Sequence, residues 1–415
     1  RAEMAKMICV ILNGGKDPVL GETLNNTYTD TANHWAKSYI EYCTTLGIVA
    51  GKGDGTFDPN GNVTVAEAGK MVLVALGYNA GVEGYTGANW QINTDVRANA
   101  LGLYEDLSYT VTSADLTRDN AAQLLYNALD VRMVTYSYVI TGTADNAITT
   151  KPQLNDTEKG TLLWEMFRAV KVEGVAIANE FSNLDGNKED TDRAPKGVNV
   201  GTALDANRTR IVVSNDDEQS VFTGTVTFPT TTGENVLGKA VWMYVKPANN
   251  SNDPLKATVI GSVFVDESNN VITDASGDKA ADVADDNNLD INADTKYAYN
   301  YGAMSSTAPA KDGWAGVVKT IVDTDGDGYV DYVLYKEMRL GKVTLKNDAD
   351  DGQLVVGVTG NGSTKGNYIA DDKDDVMGFE NVEKDNFVLT AFIGGKLHVQ
   401  LAETMTGTIE AYKQT

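Results

Sequence analysis

Residues 28–76 read YTDTANHWAKSYIEYCTTLGIVAGKGDGTFDPNGNVTVAEAGKMVLVAL. Lys37 to Leu46 spaces its apolar side chains as an amphipathic helix does, and Gly51 to Gly55 follows as a glycine-rich turn. An extended stretch then runs into Thr64-Val65-Ala66-Glu67, an S/T-x-x-E capping box that opens a second helix. That helix has two gapless counterparts, so that Glu3–Leu12 (EMAKMICVIL), Glu67–Leu76 (EAGKMVLVAL) and Asp119–Ala128 (DNAAQLLYNA) align. Each begins with an acid, where the helix dipole favours a carboxylate. The second is preceded by Thr64 and the third by Thr117.

Working outward, Tyr28-Thr29-Asp30, His34-Trp35-Ala36, Gly47-Ile48-Val49 and Gly53-Asp54-Gly55-Thr56-Phe57-Asp58-Pro59 stand in one order before the capped helix. This order resembles the S-layer homology (SLH) domain. Arg1-Ala2-Glu3 looks like the end of that family's Thr-Arg-Ala-Glu helix start, so a first repeat is represented by its last helix alone. A third repeat runs from about Trp90 to Asp130 and lacks the Gly-x-Gly-x-Phe-x-Pro turn. The resemblance implies repeats over residues 1–130 packed as a pseudo-threefold helical bundle. It also implies binding of pyruvylated secondary polysaccharide of Gram-positive cell walls. By motif position Arg1, Trp35, Gly53, Trp90 and Arg118 carry that role, while Val65 replaces the motif arginine in the middle repeat. A guanidinium meets a carboxylate through paired donors, and an indole face stacks on a sugar ring. The same residues also have a structural reading: Trp35 and Trp90 as core anchors, Asp30 as a helix cap, Glu67 as half of a capping box, His34 as a packed or capping residue. Cys9 aligns with Leu73 and Leu125, and Cys43 lies on the apolar side of its helix, so both read as small core hydrophobes.

Beyond Asp130 the pattern turns extended. Residues 131–170 read as a linker with one helix, Glu158 to Ala169, and 171–281 and 295–405 read as two β-domains divided by an acidic linker at 282–294. Expected strands include Val172–Ala178, Thr209–Val213, Ala240–Val245, Ala257–Val265, Tyr329–Tyr335, Leu354–Val358, Phe387–Phe392 and Lys396–Leu401. Their density implies sandwiches or small barrels. The fold class is therefore multidomain α + β, helical repeats followed by all-β modules. Gly174, Gly341 and Gly407 each precede an alternating strand, which makes 406–415 the start of a further module or a strand exchanged with a neighbour.

Asp323-Thr324-Asp325-Gly326-Asp327-Gly328-Tyr329-Val330-Asp331 has the spacing of a calcium loop's front half. Asp323, Asp325, Asp327 and Asp331 would supply oxygens at positions 1, 3, 5 and 9, and Tyr329 its carbonyl at 7. Position 12 is Leu334 rather than Glu, so a calcium-binding hairpin loop is expected rather than an EF-hand. An Asp-Gly turn without metal is the alternative. The acidic runs at 348–351 and 371–375 read as solvated loops.

The chain has 415 residues and, with 34 Lys plus Arg against 58 Asp plus Glu, a formal charge of -24. A polyanion such as nucleic acid would be repelled, and no apolar run is long enough to cross a membrane. The chain opens at Arg1 inside a helical pattern, so residues before it are expected. Only two histidines occur, His34 and His398, and no nucleophile-elbow, zinc-protease, Walker or Cys-x-x-Cys motif is present. Trp242 and Trp314 are expected in the β core. The resemblance implies a secreted surface protein of a Gram-positive bacterium; the composition is compatible with it, and the missing motifs lead to the expectation that it is non-catalytic. It would be anchored to secondary cell-wall polysaccharide and assembled with copies of itself, with calcium bridging its acidic surface. A surface adhesin or carbohydrate-binding protein is the alternative, with a wall-associated glycan hydrolase behind it.

Overall fold

The computed structural model describes residues 1–21, 26–141, 149–186, 191–195, 198, 200–214, 221–249, 251, 253–349, 351–359 and 365–403. The expected module start at 406–415 lies outside them. The chain divides into two compact units, Arg1–Val170 and Lys171–Thr415.

Among the described residues the first unit carries five α-helices, α1 (Ala2–Leu12), α2 (Lys37–Thr45), α3 (Val65–Ala75), α4 (Trp90–Ala100) and α5 (Arg118–Asn127). Thr64 and Glu67 close the capping box at the start of α3, and Thr117 accepts the Asn120 amide at the start of α5. The helix starts are tied to one another in a cycle. The Ala2 amide donates to Pro59 O (3.0 Å) just before α3, the Val65 amide to Ala114 O (3.0 Å) just before α5, and Arg118 reaches Glu3 of α1 (3.0 Å). Asp30 is not a helix cap. Its carboxylate accepts the amides of Phe57 (2.9 Å) and Asp58 (2.7 Å), clasping the turn of the Gly-x-Gly-x-Phe-x-Pro motif. His34 accepts the Ala36 amide through Nδ1 (3.2 Å) at the entrance to α2. Val65 is fully buried, so an arginine there would have to place its charge in the core.

Residues 131–170 are no free linker. Val131, Met133, Val134 and Leu162 join the helical core around Ile8, Ile40, Leu73 and Leu124. Strands β1 (Thr135–Thr141) and β2 (Thr149–Asn155) pair antiparallel, and the Tyr136 hydroxyl donates to Glu83 (2.7 Å). Gly77 ends α3 with φ 106°, and a Cβ there would lie 2.2 Å from Val134 O, which lets this segment cross closely. The expected helix at Glu158–Ala169 shrinks to a single turn, Leu163–Phe167, stopped by Arg168 in the left-handed region.

The second unit is built on three sheets. Strands β3 (Val170–Asn179), β4 (Thr209–Val213), β5 (Thr225–Phe228), β6 (Ala240–Lys246) and β7 (Thr258–Val265) form the first, in the order β5-β4-β3-β6-β7. Strands β8 (Asn270–Asp274), β9 (Lys296–Tyr299), β10 (Val317–Asp323) and β11 (Tyr332–Glu337) form the second, in the order β8-β10-β11-β9, with β9 parallel to β11. The third contains β12 (Arg339–Asn347), β13 (Gln353–Val358), β14 (Gly366–Ala370), β15 (Val376–Met377), β16 (Phe387–Ile393) and β17 (Lys396–Leu401). Its order is β14-β13-β12-β16-β17-β15, and it curls until Tyr368 of β14 meets Phe392 of β16, ring centroids 5.8 Å apart.

The acidic stretch at 282–294 does not separate two domains. It contains most of α6 (Ala280–Asp286), whose Ala280, Val283 and Ala284 pack with Leu289, Ile321 and Val333. Its acids line the solvent side of an amphipathic helix. A further core joins Ile177 of the first sheet, Leu334 of the second and Ile393 of the third. The chain is thus a helical unit followed by a mixed, largely antiparallel β unit.

Candidate functional site

A cleft of about 440 Å³ opens beside the start of α3, lined by Arg1, Gly51, Lys52, Phe57, Glu67, Lys70 and Trp90 among others. Arg1 is fully engaged within the fold. Its Nε donates to Phe57 O (2.9 Å), Nη2 to Ala50 O (2.9 Å) and Nη1 to Glu67 (3.4 Å), and the guanidinium stacks over the Phe57 ring at 4.7 Å. Its side chain is only 11% exposed. Lys70, one turn along α3, instead holds its ammonium 5.6 Å from the centre of the Trp90 ring. Among the described residues it has no ion pair. Burial lowers its pKa, with the Glu67 charge opposing the shift.

A second recess, of about 240 Å³, lies among Glu3, Trp35, Asn60, Gly61 and Arg118 and continues into an apolar one of about 500 Å³ beside Lys6, Met7, Ile11 and Leu125. Trp35 is 58% exposed and meets Tyr39 edge-on at 6.3 Å. Arg118, with 87% of its side chain exposed, pairs with Glu3 at 3.0 Å. Lys6 is held by Asp17 (2.8 Å), which also accepts the Tyr39 hydroxyl (2.6 Å).

The five residues singled out by motif position therefore split. Arg1 and Trp90 share the first cleft, Trp35 and Arg118 share the second, and Gly53, exposed at φ 93°, lines neither. Trp35 is not a core anchor. Lys6 and Lys70 escaped the motif reading, yet a signal was present: they occupy the same position of the aligned helices, where the third helix has Ala122.

In the second unit, carboxylate oxygens of Asp323, Asp325 and Asp327 all lie within 4.8 Å of one another. Asp323 is buried and accepts the amides of Gly326 (2.7 Å) and Gly328 (3.1 Å). Desolvation first, and then the like charges of Asp327, Asp331 and Asp323, raise the pKa of Asp325. Asp331 turns to Thr324, accepting from its amide (2.8 Å) and hydroxyl (2.5 Å), and the Tyr329 side chain is exposed. The loop thus brings three of the four expected carboxylates together. The β-unit tryptophans are not core residues either: Trp314 is 56% exposed, and Trp242 is half-buried, stacked on Phe264 at 4.4 Å.

Residues 27–68 match the S-layer homology domain family. This stretch is an S-layer homology domain. Three relatives extend the likeness. A cell surface protein of Thermoanaerobacter kivui is 35% identical over 104 residues, 25% of this chain and 13% of that protein. A middle cell wall protein of Brevibacillus brevis is 31% identical over 135 residues, 32% of this chain and 12% of that protein. Cell surface glycoprotein 1 of Acetivibrio thermocellus is 39% identical over 74 residues, 18% of this chain and 3% of that protein. The matched segments span about an eighth of the first two relatives and less of the third. The S-layer homology match and these relatives mark the chain as a cell-surface protein. No helix among its described residues is long and apolar enough to cross a membrane.

Proposed function

We propose that this chain is a non-catalytic structural protein of the cell surface. Its helical unit would bind secondary cell-wall polysaccharide and its β unit would associate with further copies. The observation that carries the reading is the cleft in which Lys70 stands over the Trp90 indole and makes no ion pair among the described residues. A cation beside an aromatic face suits an acidic sugar, whose ring stacks while its carboxylate takes the ammonium. The cyclic ties between the starts of α1, α3 and α5 support a pseudo-threefold bundle, with clefts between neighbouring repeats.

For self-association the favoured surface is β7. It is the edge of its sheet and exposes Ile260, Phe264 and Val265, a pattern that invites strand addition. Antiparallel pairing of two β7 strands about Gly261 and Ser262 would set Lys256 of each copy opposite Glu267 of the other. The curled third sheet is read as a small open barrel.

The Asp323–Asp331 loop is proposed to take calcium. Ligand bonds of about 2.3–2.6 Å allow oxygens around one ion to lie up to about 5 Å apart, which the three carboxylates satisfy. Asp323, Asp325 and Asp327 would hold the ion, and Asp331 would brace the loop through Thr324.

Sedimentation of the full chain with Gram-positive cell walls, before and after hydrofluoric acid removes the secondary polysaccharide, tests the anchor. Binding that disappears on stripping is expected; equal binding to stripped walls would overturn it. In the same assay a chelator should reduce self-association without releasing wall-bound chain.

A further inference from the structure

Cys9 on α1 and Cys43 on α2 are the chain's two cysteines. Both are buried, and their sulfurs lie 3.5 Å apart. Each thiol also faces a carbonyl of the opposite helix segment, Cys9 Sγ at 3.9 Å from Tyr39 O and Cys43 Sγ at 3.5 Å from Ala5 O. The aligned helices use leucine, Leu73 and Leu125, where α1 uses Cys9. Packing alone therefore does not call for sulfur at this position. That the two cysteines of a 415-residue chain meet across one helix pair calls for a chemical reason.

We propose that Cys9 and Cys43 form a disulfide that staples α1 to α2. A bond needs the sulfurs at about 2.0 Å, so they must approach by about 1.5 Å, a movement within reach of side-chain rotation. The oxidant is a small-molecule disulfide or an oxidised dithiol protein, of the kind that keeps cell-surface compartments oxidising. The Cys9 thiolate attacks one sulfur of the oxidant, forming a mixed disulfide and expelling one thiolate. Cys43, losing its proton, then attacks Cys9 Sγ, closing the protein disulfide and expelling the second. Two protein thiols are oxidised, one external disulfide is reduced to two thiols, and the two protons pass to the departing sulfurs. The roles of the two cysteines are interchangeable in this scheme, because either sulfur can be the donor across the 3.5 Å contact. Burial of both sulfurs places the reaction on the folding chain or during local opening of α1.

The bond would close a loop between residues 34 positions apart and fix α1, which carries Glu3 and Lys6, against the segment bearing Trp35 and Tyr39. It thereby holds both walls of the second recess.

The test uses the purified full chain, so its outcome does not depend on where the protein resides. Refolding in oxidised glutathione should lower the intact mass by about two hydrogens and leave no thiol titratable in denaturant. Reduction should then lower the Tm of the helical unit by about 5–10 °C. The double variant C9A/C43A should show one Tm, unchanged by reductant. Two free thiols after oxidative refolding to a native spectrum would overturn the proposal. So would a mixed disulfide with glutathione at either cysteine that never resolves to the internal bond.

Discussion

The two recesses of the helical unit are built from equivalent repeat positions, yet their cations do different work. Beside Trp90 the arginine is consumed by two backbone carbonyls, a glutamate and a phenyl ring, and the lysine is left facing the cleft. Beside Trp35 the arginine stands in solvent on Glu3 and the lysine is held by Asp17. A motif position fixes where a side chain starts; the acceptors within its reach decide whether its charge holds the fold or remains for a ligand. The first recess offers an ammonium with no ion pair among the described residues, its Glu67 being paired with Arg1 instead. In the second, each cation must be drawn from an existing partner before it can meet an anion.

The largest effect that sharpens this contrast falls on stability. Arg1→Ala removes charged hydrogen bonds to Phe57 and Ala50 and should cost about 2–3 kcal/mol in denaturant unfolding of the helical unit. Arg118→Ala breaks only an exposed pair and should cost less than about 0.5 kcal/mol. Equal costs would mean that the two arginines are not used differently.

Next in size is an effect on binding. Lys70→Met keeps the aliphatic stem over Trp90 and removes the charge, so affinity for intact walls should fall about tenfold or more with little change in Tm. Lys6→Met, whose ammonium is already neutralised by Asp17, should bind walls within about twofold of the parent. If Lys6→Met abolishes binding while Lys70→Met leaves it intact, the roles of the two recesses are reversed.

Local chemistry made some of this architecture readable in advance. Thr64, Glu67 and Thr117 announce helix starts because their side chains bond amides within one turn, and strands β4, β6, β13 and β17 show the apolar alternation that half-buried strands require. What depends on distant partners was not readable. β9 and β15 are four and two residues long and exist as strands through parallel pairing with β11 and β17. The stretch around α6 looks like a linker because Asp282, Asp285 and Asp286 dominate its composition, while its few apolar residues fall on one face. In the recesses, the motif pointed to Trp35, Trp90 and Arg118, which line them, but could not show that Arg1 is spent on carbonyls contributed by residues 50 and 57. Lys70 was visible only as a repeat of Lys6, and repetition by itself does not reveal which copy is free.

The smallest expected effect concerns the clasp that shapes the first cleft's rim. Desolvation opposes ionisation of Asp30, but the amides of Phe57 and Asp58 overcome it and hold its carboxyl below the usual aspartate range. A carboxyl with a depressed pKa in the folded state stabilises that state fully above its unfolded pKa, near about 4. The contribution is lost as pH falls below that value and through the folded pKa. Acidification should therefore loosen the turn at 53–59. Hydrogen exchange of the Phe57 and Asp58 amides reads the clasp directly: protection should decline as pH falls below the ordinary aspartate pKa of about 4, beyond the intrinsic pH dependence of exchange. Asp30→Asn retains one acceptor oxygen without the charge, so its protection should be weaker at pH 7 and flat across the acid range. Identical profiles for the two proteins would mean that the turn is held by Arg1 and the Phe57 ring rather than by Asp30.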